Sequence, residues 1–448
     1  MCDILLAMPD STKNGKITFG KNSDRPAGEC QVLYFSPGRK QNSDSTIECT
    51  YVTVPENSPA IATIGCRPYW CWGYETGMNE AGVVGGNTAI YTRSLHVTND
   101  RCPGLTGMDL LRLGLERGRN AEEVIFVITE LLEKYGQWGS AVQGQEHGEG
   151  SYENAYIIAD GKEAWVLETS GRRWVTERIT SGIRALSNEP TIRNKWTSAS
   201  PDLKEFAENK GWWDDNNSDF DFALAYGDHE HYSRQVSHIR MMQSYNLLQQ
   251  NRGKIDVPAM MKFLRNHNED TFLAAPQFHQ FLPDFLTICM HDSPAGFTWG
   301  NTATSVVVEL NATDGNRNPF WLCYLPPCSG IYLAYFISRG IPKPVTRAGN
   351  QGLHILPPAE APKDQFNKSS LWWRFHRLTE EISKKPEKRY QKVRTLLDPV
   401  ERVFRLQVEN LFSNPASIEQ NQLDNLMHDQ VAKTLEVLEK IEQSWNII

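Results

Sequence analysis

Cys2 follows the initiator Met1. Its side chain is small enough for methionine aminopeptidases to remove Met1, and the chain would then open on a cysteine with a free α-amine. Such a residue holds both nucleophile and base. An α-amine titrates at about 7.7 to 8.0, so near neutral pH part of it is free to take the thiol proton, and the thiolate is the attacking species. By position alone, a cysteine here reads first as a small buried hydrophobe.

What gives Cys2 chemical meaning is Phe19-Gly20-Lys21-Asn22-Ser23-Asp24-Arg25-Pro26. If Asp3 to Met8 and Lys16 to Phe19 are hairpin partners, the chain after the second strand returns past the first residues. Lys21 and Asp24 then reach Cys2. The cation lowers the thiol pKa, and the carboxylate holds the α-amine. On its own the octapeptide would be a surface turn with solvated Lys21 and Asp24. Gly15 to Lys21 also fits Gly-x4-Gly-Lys, but Asn22 stands where a phosphate loop needs Ser or Thr, and Pro26 stands where a helix should run.

Histidines offer the rival chemistry. His229-Glu230-His231 would present two imidazoles on one strand face, and His291-Asp292 follows an expected strand, yet there is no HExxH and no paired Cys and His spacing. No metal and no organic cofactor are expected. The inner cysteines lack the Gln or Trp surroundings of a papain-like Cys-His pair.

The elements that must position Cys2 are strands at Asp3 to Met8, Lys16 to Phe19, Gln31 to Phe35, Ile47 to Val54 and Gly82 to Gly86, separated by Gly, Asn, Asp and Pro clusters. Helical spacing follows at Met108 to Arg117 and at Ala121 to Lys134, the latter capped by Asn120. Strands return at Asn154 to Ala159, Glu163 to Glu168, Arg173 to Arg178 and Gly182 to Ser187. Residues 201–251 read as helical around an acidic, aromatic surface excursion, Trp212 to Tyr232. Strands resume at Phe285 to His291 and Ser305 to Leu310. The expected division is a domain over 1–350, a Pro-rich linker over 351–368 and a helical segment over 369–448. That segment packs on the first domain or serves a homo-oligomer.

Across 448 residues, 46 Lys plus Arg stand against 54 Asp plus Glu, for a net charge of -8, with no basic run. A nucleic-acid or anionic-membrane partner is therefore excluded as an expectation. No stretch approaches the roughly 18 apolar residues of a membrane span, and the opening residues lack the basic and apolar regions of a signal peptide. The expected location is cytoplasmic, a reducing compartment in which most of the nine cysteines are buried and unpaired.

Cys2 with the Phe19 to Pro26 octapeptide resembles the opening of the secernins and the dipeptidase A (C69) cysteine peptidases, relatives of the choloylglycine hydrolases. Further similar stretches are Arg67-Pro68-Tyr69-Trp70-Cys71-Trp72-Gly73, Gly77-Met78-Asn79-Glu80-Ala81-Gly82-Val83, Gly107 to Gly118 and Glu163 to Thr169. The resemblance implies an α+β fold, the N-terminal-nucleophile (Ntn) αββα sandwich of two antiparallel sheets, and hydrolysis of small-peptide or acyl-amide bonds through an acyl-enzyme. It implies Asn87 as an oxyanion donor, Asn188 as a contact of the nucleophile residue, and Arg234 as a substrate-binding arginine, with Arg240 as the alternative equivalent. Without the resemblance, Asn87 and Asn188 read as turn residues. Lys21 departs from the arginine usual in the choloylglycine relatives. Two other readings stand beside the peptidase: a non-enzymatic secernin-like regulatory or scaffold protein, and a choloylglycine-type acylase.

Overall fold

Cys-Asp-Ile-Leu-Leu-Ala is apolar at nearly every position, as a strand covered on both faces must be, and Cys2–Ala7 (β1) is buried throughout. Its hairpin partner is Thr18–Arg25 (β2), with Cys2 opposite Ser23 and Ile4 opposite Lys21. The computed structural model describes all residues except 43, 98–100, 215–218, 234, 270, 274–285, 293–299, 312–316, 414–417 and 447–448.

Along the chain follow Gln31–Ser36 (β3), Thr46–Glu48 (β4), Thr53–Pro55 (β5), Thr63–Pro68 (β6), Thr76–Asn79 (β7) and Val84–Ile90 (β8). Helices Gly107–Arg117 (α1), Ala121–Tyr135 (α2) and His147–Gly150 (α3) precede Glu153–Ala159 (β9), Ala164–Ser170 (β10), Arg173–Ile179 (β11), Ile183–Leu186 (β12) and Ser198–Ala199 (β13). Next come Leu203–Asn209 (α4), Phe222–Tyr226 (α5), Gln235–Gln250 (α6) and Val257–Leu264 (α7), then Asn301–Glu309 (β14), Phe320–Tyr324 (β15) and Leu333–Tyr335 (β16). Lys343–Thr346 (α8), Leu371–Lys384 (α9), Pro386–Phe412 (α10) and Gln420–Trp445 (α11) end the chain.

The strands form a six-stranded sheet, β12-β1-β2-β14-β15-β16, and an eight-stranded sheet, β13-β11-β10-β9-β8-β7-β6-β3, with β4 and β5 as a separate hairpin. All pairings are antiparallel. β1 and β2 face β8 across the interior. α1 and α2 cover the outside of the larger sheet, and α6 and α7 cover the outside of the smaller one. The result is an αββα sandwich with C-terminal helices.

Local sequence explains the helix ends. Thr106 and Asp109 form a capping box at the start of α1, and Asn120 accepts from the Glu123 N–H at the start of α2. α2 stops at Gly136, whose φ of 70° suits glycine best. The sheets close on each other where β8 has no side chain: a Cβ on Gly86 would lie 2.5 Å from Cδ of Lys21. That gap lets the lysine cross the interior.

Several expectations change. The second strand starts at Thr18 and runs on to Arg25, so Lys21 and Asp24 lie within a strand, because the register with both β1 and β14 continues past Phe19. Ile47 to Val54 is two short strands joined by a turn. Residues 286–291 form no strand, and Phe285 lies outside the described residues. The excursion after Trp212 is no surface feature at its core: Phe220, Phe222 and Tyr226 are buried. Their rings, with Trp212 and Trp213, meet mostly edge to face.

α10 and α11 pack on β16, and α9 packs on β15. Trp372 is the anchor, 1% exposed, with its indole N–H donating to the Ala303 carbonyl at 3.1 Å. Among the described residues, no helix is long and apolar enough to cross a membrane. Trp372→Ala is expected to cost about 3 to 5 kcal/mol, the range for emptying a buried aromatic position, read from the urea midpoint with the slope unchanged.

Candidate active site

Extension of the β1-β2 ladder by one residue carries Met1 alongside Asp24. The Asp24 N–H donates to the Met1 carbonyl at 2.8 Å, and the Met1 ammonium donates to the Asp24 carbonyl at 3.2 Å. Cys2 is thereby drawn into the interior, where it is buried.

Four side chains fix its backbone. Asn188, just beyond β12, donates from Nδ2 to the Ala89 carbonyl at 2.8 Å and to the Thr88 hydroxyl at 2.9 Å. Since a carbonyl only accepts, Oδ1 must point the other way, and it accepts from the Cys2 N–H at 3.1 Å. Arg240 of α6 donates to the same Oδ1 at 2.6 Å and to Asp3 Oδ2 at 2.6 Å. The hydroxyls of Thr88 and Ser187 each lie 3.4 Å from the Cys2 carbonyl.

Asp24 completes the group. Its Oδ1 accepts from the Thr302 hydroxyl at 2.7 Å, and its Oδ2 lies 3.7 Å from Arg240 with no hydrogen bond. Asp3, Asp24 and Arg240 are all fully buried. Burial pushes the Asp24 carboxyl up to about 6, against the pull of the neighbouring ammonium and of Arg240. It also raises Asp3. An ion pair withdrawn this far from water persists only when its hydrogen bonds are satisfied.

The thiol sits between opposing influences. Burial raises its pKa, and the charges of Lys21 and the terminal ammonium lower it. Lys21 Nζ contacts the Ser23 hydroxyl and lies 3.8 Å from Glu75 Oε2. Glu75 is shared with Arg25 at 3.0 Å, and Arg25 also pairs with Glu29 at 2.6 Å.

Asn87, on β8, is oriented from a distance. Gln137 Nε2 donates to the Gly171 carbonyl at 2.9 Å, which turns its Oε1 towards Asn154 Nδ2, also at 2.9 Å. Asn154 Oδ1 is then the acceptor, and Asn87 Nδ2 donates to it at 3.0 Å. One proton of the Asn87 amide remains for the cavity. A Cβ on Gly107 would lie 1.8 Å from Asn154 Oδ1, so a larger residue there would displace the chain of amides.

Met1, Cys2, Asp24, Asn87, Tyr91 and Tyr152 are among the residues around this cavity. With Met1 in place it measures about 10 Å³, room for no more than one water. The structure thus gathers Cys2, Asp24 and Asn87 around one space, with Lys21 and Asn188 acting on Cys2 from either side. Arg234 lies outside the described residues; among the described residues Arg240 reaches Asp3 and Asn188 beside Cys2, and Arg25 lines the cavity. Sequence reasoning passed over Asp3, Glu75, Asn154 and Gln137. Asp3 had a signal: a carboxylate inside an apolar strand needs a buried partner.

Residues 69–274 match the family model for peptidase family C69. The matched segment starts after Cys2, Lys21 and Asp24 and includes Asn87, Asn154, Asn188 and Arg240. A peptidase is a hydrolase of amide bonds. Among solved structures the chain is similar to a mutant conjugated bile acid hydrolase from Clostridium perfringens, at 14% identity and TM-score 0.38 over 72% of this chain and 89% of that one. It is also similar to penicillin V acylase from Agrobacterium tumefaciens, at 11% identity and TM-score 0.39 over 75% and 87%. A third is the Caenorhabditis elegans ortholog of N-acylethanolamine-hydrolyzing acid amidase, at 11% and 0.34 over 68% and 92%.

Arg240→Met removes the buried guanidinium from Asp3 and Asp24, leaving the terminal ammonium as their remaining countercharge, and is expected to destabilise by about 3 to 5 kcal/mol at pH 7.5. Burial raises the Asp24 carboxyl and Arg240 pulls it down, so loss of the guanidinium raises it further, and the added penalty accrues as pH rises through the ionisation of Asp24 and is absent where both folded proteins hold it protonated. The deficit of the variant should therefore shrink as pH falls towards 5, a trend that urea unfolding at the two pH values reads directly.

Proposed function

We propose that the chain is a cytoplasmic cysteine-type N-terminal-nucleophile hydrolase that cleaves small peptides. One observation carries the reading: an amide acceptor on the Cys2 nitrogen, a carboxylate, a lysine and a cavity all converge on residue 2, and Met1 is what fills the space beside it.

Hydrolysis of the Met1-Cys2 bond by an aminopeptidase leaves a terminal Cys2 amine between Asn188 Oδ1 and the Asp24 carboxylate. It also frees the Asp24 N–H, which had donated to the Met1 carbonyl. The amine takes the thiol proton, helped by the Lys21 charge. The thiolate sulfur attacks the substrate carbonyl carbon, and the π pair moves to oxygen. Asn87 Nδ2 and the Asp24 N–H donate to that oxyanion. Collapse transfers the ammonium proton to the leaving amine and forms a thioester. Water, deprotonated by the Cys2 amine, attacks the thioester, and the acid product leaves as the sulfur regains its proton. Small peptides are favoured over acyl amides because the matched family is a peptidase family.

Cys2→Ala is expected to lower turnover of dipeptides by about 10³-fold or more with the fold kept, and Asn87→Ala by about 10² to 10³-fold in kcat. Intact mass should show loss of Met1, and brief incubation with substrate should add one acyl group to Cys2. Intact Met1 on native protein, or unchanged turnover in Cys2→Ala, would sink the proposal. Faster turnover of acyl amines than of dipeptides would move it to the acylase reading. Activity should rise with pH as Asp24 ionises from a pKa that burial raises, and that limb should be absent from the pH profile of Asp24→Asn.

A further inference from the structure

Outside the active site, four ligand-bearing side chains meet in the interior. His267, Cys289, His291 and Cys328 each direct one ligand atom to a common point, all within 4.8 Å of one another. We propose that these residues form a structural zinc site. Their sequence spacing hides it. Only Cys289 and His291 are close in the chain, and His267 and Cys328 arrive from the turns after α7 and after β15, so the expectation of no metal had no short motif to contradict it.

The distances suit a tetrahedral ion. Zinc bonds of about 2.0 to 2.1 Å to nitrogen and 2.3 Å to sulfur imply ligand separations of about 3.3 Å for N to N and 3.6 Å for N to S. His267 Nε2 lies 3.2 Å from His291 Nε2, and His291 Nε2 lies 3.3 Å from Cys328 Sγ and 3.8 Å from Cys289 Sγ. Two thiolates and two neutral imidazoles are a ligand set that selects zinc, and they cancel its charge where water is excluded. Binding releases the two thiol protons and changes no oxidation state.

An outer partner is also built in. Glu269 Oε1 lies 3.2 Å from His267 Nδ1, while its Oε2 accepts from the His267 N–H at 2.6 Å and from Asn266 Nδ2 at 2.9 Å. A carboxylate on Nδ1 puts the ring proton there and leaves the Nε2 lone pair facing the cluster, as in metal-bound histidines. Four protein ligands leave no open position, which makes the site structural rather than catalytic.

Its place in the fold explains what such an ion would do. Residues 286–291 have no strand ladder to hold them, yet β2 rests on them. Asn22 Nδ2 donates to the carbonyls of Ile288 and Leu264, at 2.8 and 2.9 Å. The Thr302 N–H donates to the Met290 carbonyl at 3.1 Å, and the Thr302 hydroxyl supports Asp24 at 2.7 Å. The ion would tie this segment to two other turns beneath the strand that carries Lys21 and Asp24.

The test uses the full, tag-free chain purified without chelators. Elemental analysis should find about one zinc per chain, and zinc-edge absorption should show two sulfur and two nitrogen neighbours. Chelator-stripped protein should take up Co²⁺ alone with sulfur-to-cobalt charge-transfer bands. Cys289→Ser and Cys328→Ser should lose most of the metal, while Cys102→Ser, at an exposed cysteine, should keep it. Should the ligand variants fail to fold, Glu269→Gln, at the margin of the cluster, should fold and bind zinc about 10 to 100-fold more weakly. Less than a tenth of an equivalent of metal, together with no uptake of Zn²⁺ or Co²⁺ by folded stripped protein, would overturn the site. So would a Cys289-Cys328 disulfide in the native chain, or an oxygen and nitrogen shell without sulfur.

Discussion

The constraint on which the structure depends is the burial of charge beneath the first strand. Asp3, Asp24 and Arg240 are shut off from water together, and none of them is tolerable there alone. The guanidinium has a donor for Asp3 and another for Asn188, so α6 must dock on β1 at one angle and height. Asn188 then has a single orientation, and the nitrogen of Cys2 has a single acceptor. The first residues of the chain are held by electrostatics that the fold cannot relax without exposing or stranding a charge.

A second constraint comes from carbonyl groups, which accept and never donate. The Gly171 carbonyl sets the direction of Gln137, Gln137 sets Asn154, and Asn154 sets Asn87. The Ala89 carbonyl does the same for Asn188. Side-chain amides, whose two ends are nearly alike in shape, thus acquire polarity from backbone that belongs to the sheet. The Asn188 bonds need the two sheets packed closely, with clearance at Gly86, and the Asn154 bonds need α1 packed closely on the larger sheet, with clearance at Gly107.

Around this centre the C-terminal helices act as a buttress. Glu401 of α10 accepts from Arg265 at 2.6 Å and from the Tyr332 N–H at 2.9 Å, joining α10 to the turn after α7 and to the approach to β16. Trp372 binds the carbonyl of Ala303 within β14, the strand that pairs with β2. The path from helix to β14 to β2 ends at Asp24. The helices, read from sequence as a segment for the sandwich or for a second copy, pack on the sandwich.

Much was legible in the chain itself. The burial of β1 is written in its apolar run, the two helices of the larger sheet in their period and in Asn120, and the approach of Lys21 and Asp24 to the first residues in the hairpin that the Phe19 to Pro26 octapeptide continues. These are local signals, carried by neighbours in sequence. Arg240, Asp3 and Glu75 were not legible as partners, nor were Asn154 and Gln137, and the four-residue cluster at His267 left no spacing to read. Each of these depends on which strand lies across the interior and which turn ends beside it. A sequence records the chemistry of a side chain and its near neighbours. The distance between residues a hundred or more positions apart is set only when two sheets and four helices pack, and with it the partner, the proton and the charge each group must carry.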